Sequence, residues 1–207
     1  NIDIHQIFTS LGKTEKLSKK QIVYEDGKHA KNVYLINSGR VKCVKGSDEG
    51  KELIIDIASQ HDFLGYLTIL GSGIYDETAI VLEDAELISV SKDDFLNLIF
   101  SDVEIANLLI KTFAKNVKEK EDKLLIMAYG NLRKRVAKTL VELDEKFKNV
   151  ETGNTLEIKR EELASYIGIA TESLIRTLSD FKSEKLIDIR DSRIRVINRD
   201  KLKNLLF

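Results

Sequence analysis

Apolar and polar residues change period along this chain, and the changes divide it. From about residue 19 to residue 90 they alternate in short runs: Gln21-Ile-Val-Tyr24, Asn32-Val-Tyr-Leu-Ile36, Arg40-Val-Lys-Cys-Val-Lys45, Glu52-Leu-Ile-Ile-Asp-Ile57, Thr78-Ala-Ile-Val-Leu82 and Glu86-Leu-Ile-Ser-Val90. A period of two places every second side chain on one face, which predicts strands with one buried face. Turn signals at Asp26-Gly27, Ser38-Gly39 and Asp48-Glu-Gly50 separate the runs at short intervals. Together they predict a compact antiparallel barrel or roll.

After Lys92 the period lengthens. Asp93-Asp94 open a short helix, and a longer helical pattern runs from about residue 102 to residue 129. Its apolar stripe holds Ile105, Leu108, Leu109, Thr112, Phe113, Asn116, Val117, Leu124 and Met127. Such a helix is about 40 Å long at 1.5 Å per residue, more than one barrel covers. That length predicts pairing in a homodimer, with Leu109, Phe113, Asn116, Leu124 and Met127 at the interface and Asn116 fixing register. The competing reading packs the helix on its own barrel. Its middle, Lys118-Glu-Lys-Glu-Asp-Lys123, is poor in apolar residues, so the seam loosens there.

Gly130-Asn131 interrupts the pattern and marks a hinge. A helix over 132–147 and a short strand over 156–158 follow. Two short amphipathic helices then meet at Gly168, where a tight corner requires positive φ. Leu163, Ala164 and Ile167 share a face of the first; Leu174, Leu178 and Phe181 share one of the second. Residues 187–197 read as a hairpin turning at Asp191-Ser192, and 200–207 as a closing helix. The fold class is α+β, in three parts: a β-roll over 1–101, a pairing helix and hinge over 102–130, and a winged helix-turn-helix over 131–207.

In a helix-turn-helix the first residues of the second helix reach base edges in the major groove, here Thr171, Glu172, Ser173 and Arg176. Arg176 can donate two bonds to guanine O6 and N7; Glu172 can accept from the cytosine amino group and brace Arg176 four residues on. Lys159 and Arg160, opening the first helix, suit backbone phosphates. Lys182, Arg190, Arg193 and Arg195 suit the wing and flanks. The plain alternative makes Glu172 and Arg176 a surface pair and the cations solvated charges. Double-stranded DNA is the expected partner.

Charge sharpens this division. Residues 131–207 carry 17 Lys+Arg against 13 Asp+Glu, a net of +4, and residues 1–130 carry 16 against 21, a net of −5. A basic end suits a polyanion reader joined to an acidic sensor. The 43% apolar and 32% charged residues contain no run near the roughly 20 needed to cross a bilayer, and no secretory pattern opens the chain. One cysteine, Cys43, excludes an internal disulfide and implies a cytoplasmic protein without membrane contact. No nucleophile motif, metal-ligand cluster or phosphate-binding loop suggests an enzyme or a metal site. A start at Asn1 rather than methionine suggests a processed chain or an excised piece with a further domain in front.

Barrel, long helix, hinge and winged helix-turn-helix, in that order, resemble the Crp/Fnr family of bacterial transcription regulators. Val23-Tyr-Glu-Asp-Gly27, Val33-Tyr-Leu-Ile-Asn-Ser-Gly-Arg-Val-Lys42, Asp48-Glu-Gly-Lys-Glu52 and Asp62-Phe-Leu-Gly65 look like the glycine-punctuated turns of its β-roll. Arg135-Val-Ala-Lys-Thr-Leu140 and Thr171-Glu-Ser-Leu-Ile-Arg176 are similar to its hinge-side and recognition helices. The resemblance implies a homodimer on a palindromic operator, contact with RNA polymerase at promoters, and a G·C pair read by Glu172 and Arg176. Thr171 stands where some members carry a further base-reading arginine. Ile175 stands where others have glycine or serine and can touch a thymine methyl.

Members that bind cyclic AMP carry Gly-Glu-Leu, whose glutamate takes the ribose hydroxyl, and then Arg-Ser/Thr-Ala, whose arginine pairs with the cyclic phosphate. The corresponding residues here are Gly65-Tyr66-Leu67 and Glu77-Thr78-Ala79. Glu77 sets negative charge where the phosphate needs positive charge, a loss of several kcal/mol in a partly closed pocket. No arginine lies between Arg40 and Arg133 to rescue the site by a slipped register. The resemblance therefore implies an effector other than cyclic AMP or cyclic GMP. One cysteine cannot hold an iron–sulfur cluster. Haem would need an axial ligand from His5, His29, His61, Cys43 or Met127, none of them marked for it: His61 reads as a solvated loop residue and Cys43 as a small core residue. No cofactor is expected and no effector is named. The alternative is a C-terminal output module of a larger protein, such as a receiver-domain response regulator, with a degenerate sensor barrel.

Overall fold

A computed structural model describes residues 3–46, 52–147 and 155–205. The expected turn at Asp48-Glu-Gly50 lies outside these residues, as does the end of the last expected helix. In chain order the elements are α1 (Ile4–Leu11), β1 (Lys13–Leu17), β2 (Ile22–Tyr24), β3 (Asn32–Gly46), β4 (Glu52–Ala58), β5 (Phe63–Leu64), α2 (Tyr66–Leu70), β6 (Thr78–Ser91), α3 (Lys92–Ser101), α4 (Val103–Tyr129), α5 (Leu132–Lys146), α6 (Arg160–Ile167), α7 (Thr171–Ser183), β7 (Ile187–Arg190), β8 (Arg193–Val196) and α8 (Arg199–Asn204). The chain divides into two compact units, Asn1–Val117 and Lys118–Phe207, and the division falls inside α4.

In the first unit β3 and β6 run antiparallel along nearly their whole length within a six-stranded sheet. β1 and β2 extend it through β6, and β4 and β5 through β3. The turn expected at Ser38-Gly39 is instead a bend within β3, whose register against β6 shifts between Ile36 and Val41. Gly39 adopts φ +82°, and a Cβ there would lie 2.3 Å from the Asp84 carbonyl oxygen and 2.5 Å from the Ala85 Cα. Only glycine lets the partner strand approach so closely. The apolar runs over 78–82 and 86–90 are likewise parts of one strand, β6. Long strands with bulges coil more strongly, which lets the sheet wrap its own core.

That core holds Leu35, Ile36, Val41, Leu87, Ile88 and Val90 from the sheet, closed by Phe8 of α1, Phe95 of α3, and Ile105 and Leu109 of α4. α1 and β1 carry no clear period in the sequence. Asp3 caps α1 by accepting from the His5 N–H at 3.0 Å, and α1 contributes Phe8, which meets Phe63 at 5.1 Å between ring centroids.

In the second unit α5 contacts α6, α7, α8 and β8. Val136, Ala137, Leu140 and Leu143 of α5 are buried, as are Leu163 and Ile167 of α6 and Leu174, Leu178 and Phe181 of α7. β7 and β8 form the expected hairpin, with Asp191 and Ser192 at φ +47° and +63°. Leu156 pairs with Ile194 as a single bridge rather than a strand. Among the described residues no helix is long and apolar enough to cross a membrane.

Candidate nucleic-acid interface and effector site

α6 ends because Gly168 takes the left-handed conformation (φ +72°, ψ +46°), donating its N–H to the carbonyls of Ala164 and Ser165. Ile169 N–H also donates to Ala164 O, at 3.0 Å, the doubled closure that terminates a helix with a sharp corner. α7 starts three residues later, at Thr171, and buries Leu174, Thr177, Leu178 and Phe181. Its other face presents Glu172, Ile175 and Arg176 to solvent, with Thr171 and Ser173 half-buried beside them. Among the described residues, neither Glu172 nor Arg176 has a hydrogen bond or ion pair with its side chain, and the i,i+4 brace between them is not formed. A carboxylate and a guanidinium one turn apart at an exposed helix start form a donor–acceptor pair open to a partner.

The cations expected around this helix fall into two groups. Lys159 is exposed at the start of α6. Arg160 is half-buried and donates to the carbonyl of Ile158 at 3.5 Å, and burial holds its pKa below the usual arginine value. Lys182 donates to the Ile189 carbonyl at 3.2 Å and so ties α7 to the wing. Arg193 meets Glu157 at 2.9 Å and Arg190 meets Asp188 at 2.7 Å, while Arg195 is exposed. Arg133 and Arg135, assigned no such role from the sequence, contact α7 and the corner before it.

In the first unit, Gly65 opens α2 at φ +75°; a Cβ would lie 3.2 Å from both Asn32 O and Tyr75 Cε1. Tyr66 is buried, stacks on Phe113 at 4.0 Å between ring centroids, and accepts from Asn116 Nδ2 at 3.1 Å. Leu67 is exposed. Glu77 Oε1 accepts from the Tyr24 hydroxyl at 2.7 Å, and that hydroxyl lies 3.9 Å from Cys43 Sγ. Thr78 Oγ1 accepts from the Asp26 N–H at 3.1 Å, and Ala79 is buried opposite Cys43. Tyr24 stacks on Tyr75 at 4.0 Å. Lys45 is bonded to Asp76 at 2.6 Å. Tyr24, Cys43 and Glu77 thus bring a phenol, a thiol and a carboxylate together. Tyr24 had no signal in the sequence, since its partners lie 19 and 53 residues away.

Two of the three histidines, His5 and His61, lie near one another. His5 Nε2 pairs with Asn37 Oδ1 at 2.7 Å, with its ring 6.2 Å from that of His61, which is exposed at φ +72°. His29 is exposed as well. Cys43 is buried, as expected of a small core residue.

The five residues expected at a pairing seam divide between packing within the chain and exposure to solvent. Leu109 and Phe113 pack into the chain's own β-roll, and Asn116 bonds Tyr66. Met127 Cε lies 3.1 Å from the position of a Cβ on Gly168, against the helix-turn-helix corner. Leu124 remains exposed, together with Val103, Ile110 and Val117, all between 55% and 76%. These four recur every seven residues along α4. The apolar stripe in the sequence merges two faces, one spent on the chain's own units and one left open.

Two family models match the chain: the cyclic nucleotide-binding domain over residues 14–102 and the Crp-like helix-turn-helix domain over residues 134–205. A CRP-like cAMP-activated global transcriptional regulator of Mycobacterium tuberculosis is 25% identical over 183 residues, covering 87% of this chain and 82% of that protein. The anaerobic regulatory protein of Bacillus subtilis is 25% identical over 207 residues, covering 97% of this chain and 87% of that protein. Among solved structures, FixK2 from Bradyrhizobium japonicum superimposes with a TM-score of 0.83 at 23% identity, covering 94% of this chain and 96% of that one.

Proposed function

This chain belongs to the Crp/Fnr family of transcription regulators, and from that premise we propose that it acts as a homodimer that reads a palindromic operator through α7 and does not respond to cyclic AMP. Its family consists of DNA-binding regulators rather than enzymes. The observation that carries the proposal is the start of α7, where Glu172, Ile175 and Arg176 are exposed over a buried apolar face and, among the described residues, Glu172 and Arg176 make no side-chain bond. Arg176 donates to guanine, Glu172 accepts from the paired cytosine, and Ile175 meets a neighbouring thymine methyl. Thr171 and Ser173 contact the flanking backbone or base edges. Lys159, with the N–H groups opening α6, holds phosphate; Arg160, Lys182 and Arg193 have part of their bonding capacity engaged and contribute less.

Two copies pair along α4 through Val103, Ile110, Val117 and Leu124, which recur every seven residues and so supply one apolar position of each heptad. Recognition helices about 34 Å apart then meet half-sites one helical turn apart. The regulator works in the cytoplasm and acts on RNA polymerase at promoters. Binding-site selection from random duplexes is expected to return a palindrome with a G·C pair in each half. Arg176→Ala is expected to cost about 1–3 kcal/mol per half-site and relax preference at that pair alone. Unchanged affinity and preference in this variant would remove the assignment.

Glu77 supports the cyclic AMP part of the proposal. The Mycobacterium tuberculosis relative is cAMP-activated, but here the position that the family resemblance gives to a phosphate-binding arginine holds a carboxylate, which accepts a bond from Tyr24. Millimolar cyclic AMP is expected to leave melting temperature and operator affinity unchanged, since a ligand with no affinity for the folded state shifts neither. The same observation favours a second reading, an output module controlled from outside its own barrel. Operator binding by the chain alone, without any added small molecule, would support it.

A further inference from the structure

A recognition helix reads bases only if its orientation is held, and two arginines of α5 contact opposite ends of α7 and its corner. The α6 terminus leaves its last carbonyls without intrahelical partners. Arg135 Nη2 donates to two of them, Ile167 O at 2.9 Å and Gly168 O at 2.8 Å. A cation at a helix C-terminus also opposes the helix dipole. At the far end of α7, the Arg133 guanidinium lies 4.8 Å from the centroid of the Phe181 ring and pairs with Glu184 at 2.8 Å.

The corner is crowded from further sides. A Cβ on Gly168 would lie 3.3 Å from Arg135 Nη2 and 3.1 Å from Met127 Cε. Lys123 Nζ sits 3.4 Å from the centroid of the Tyr166 ring. The last turns of α4, the first turn of α5 and the end of α6 therefore converge on the residues that launch α7. Among the described residues, the buried Arg135 Nε has no hydrogen-bond partner. A buried unmet donor costs free energy, so the guanidinium is held here at some expense, with its bonds directed to backbone carbonyls.

We propose that Arg135, assisted by Arg133, is a positioning residue for DNA reading: a two-point brace that fixes α7 against α5 and the end of α4 without contacting DNA. This rests on the DNA-reading role given above.

The test compares the full chain with its Arg135→Ala, Arg135→Lys and Arg133→Ala variants. Affinity for the selected operator and for a scrambled duplex is measured over a salt series, and amide hydrogen exchange across residues 164–176 is followed without DNA. Arg135→Ala is expected to lose about tenfold in operator affinity, with scrambled-duplex affinity within about twofold and an unchanged salt slope. Exchange at the corner is expected to accelerate. Arg133→Ala is expected to show the same pattern with faster exchange toward the end of α7. Should Arg135→Ala fail to fold, Arg135→Lys, which keeps the charge but loses the planar fork, is expected to show the same effects at smaller size.

A salt slope reduced by about one per protomer would make Arg135 a phosphate contact and overturn the proposal. So would an unchanged operator-to-scrambled ratio or unchanged exchange. If the parent chain selects no sequence at all, the DNA-reading role fails instead, and hydrogen exchange alone decides the brace.

Discussion

Tyr24, Cys43 and Glu77 form a cluster whose behaviour depends on burial. Loss of solvent pushes the Tyr24 phenol far above its ordinary value, with the Cys43 and Glu77 charges adding to it. Burial does the same to the Cys43 thiol, with the Glu77 and Asp56 carboxylates adding to it, and takes Tyr75 up to about 12. Tyr24, Cys43 and Tyr75 therefore bind their protons more tightly folded than unfolded. Their contribution is therefore complete below the unfolded values and is lost as pH rises through about 9 and above. Melting temperature is expected to hold to about pH 8 and then fall steadily toward pH 11, more steeply than in Tyr24→Phe. A flat profile to pH 11 would contradict this. At this scale Glu77 was legible because it sits in a recognisable segment. Tyr24 was not, because strand pairing brings its partners to it from distant positions.

At the scale of elements, α4 separates what a period reveals from what it hides. Helical spacing predicts a helix over 102–129, and the structure has one over Val103–Tyr129. Spacing does not say which apolar residues meet the chain's own core. Leu109 and Phe113 do, whereas Val103, Ile110, Val117 and Leu124 face solvent. If the open face pairs two copies, Leu124→Asp is expected to shift the oligomer toward monomer in sedimentation and to weaken operator binding. Leu109→Ala is expected to act differently, lowering stability by about 2–5 kcal/mol through a cavity in the roll while leaving assembly intact. Equal effects of the two on assembly would reject the division of faces. β3 and β6 teach a related lesson. Ser38-Gly39 signals positive φ correctly, but a glycine with positive φ serves a bend inside a strand as well as a turn between strands.

For the whole molecule, the charge imbalance gains a place. The net +4 of residues 131–207 falls on the unit that carries α6, α7 and the wing, and the acidic excess falls on residues 1–102, which hold the roll. Several wing cations are paired within the chain, so fewer phosphates are neutralised than the cation count suggests. Operator affinity is expected to fall steeply between about 50 and 200 mM salt, and Lys159→Ala to reduce the slope of log affinity against log salt by about one per protomer with base preference unchanged. A slope insensitive to Lys159 would remove it from the phosphate contacts.

The sequence by itself determined the order of parts, the winged helix-turn-helix with Gly168 at its corner, the face of α7 that carries Glu172 and Arg176, and the carboxylate at Glu77. These are readable because period, positive φ and charge are properties of short stretches of chain. Only the tertiary structure decided that β3 and β6 are single coiled strands, that α4 spends Leu109, Phe113 and Asn116 on its own roll, that Tyr24 meets Glu77, and that Arg133 and Arg135 brace α7. Each of those depends on residues far apart in the chain meeting in space, and periodicity carries no information about which distant partner a side chain finds.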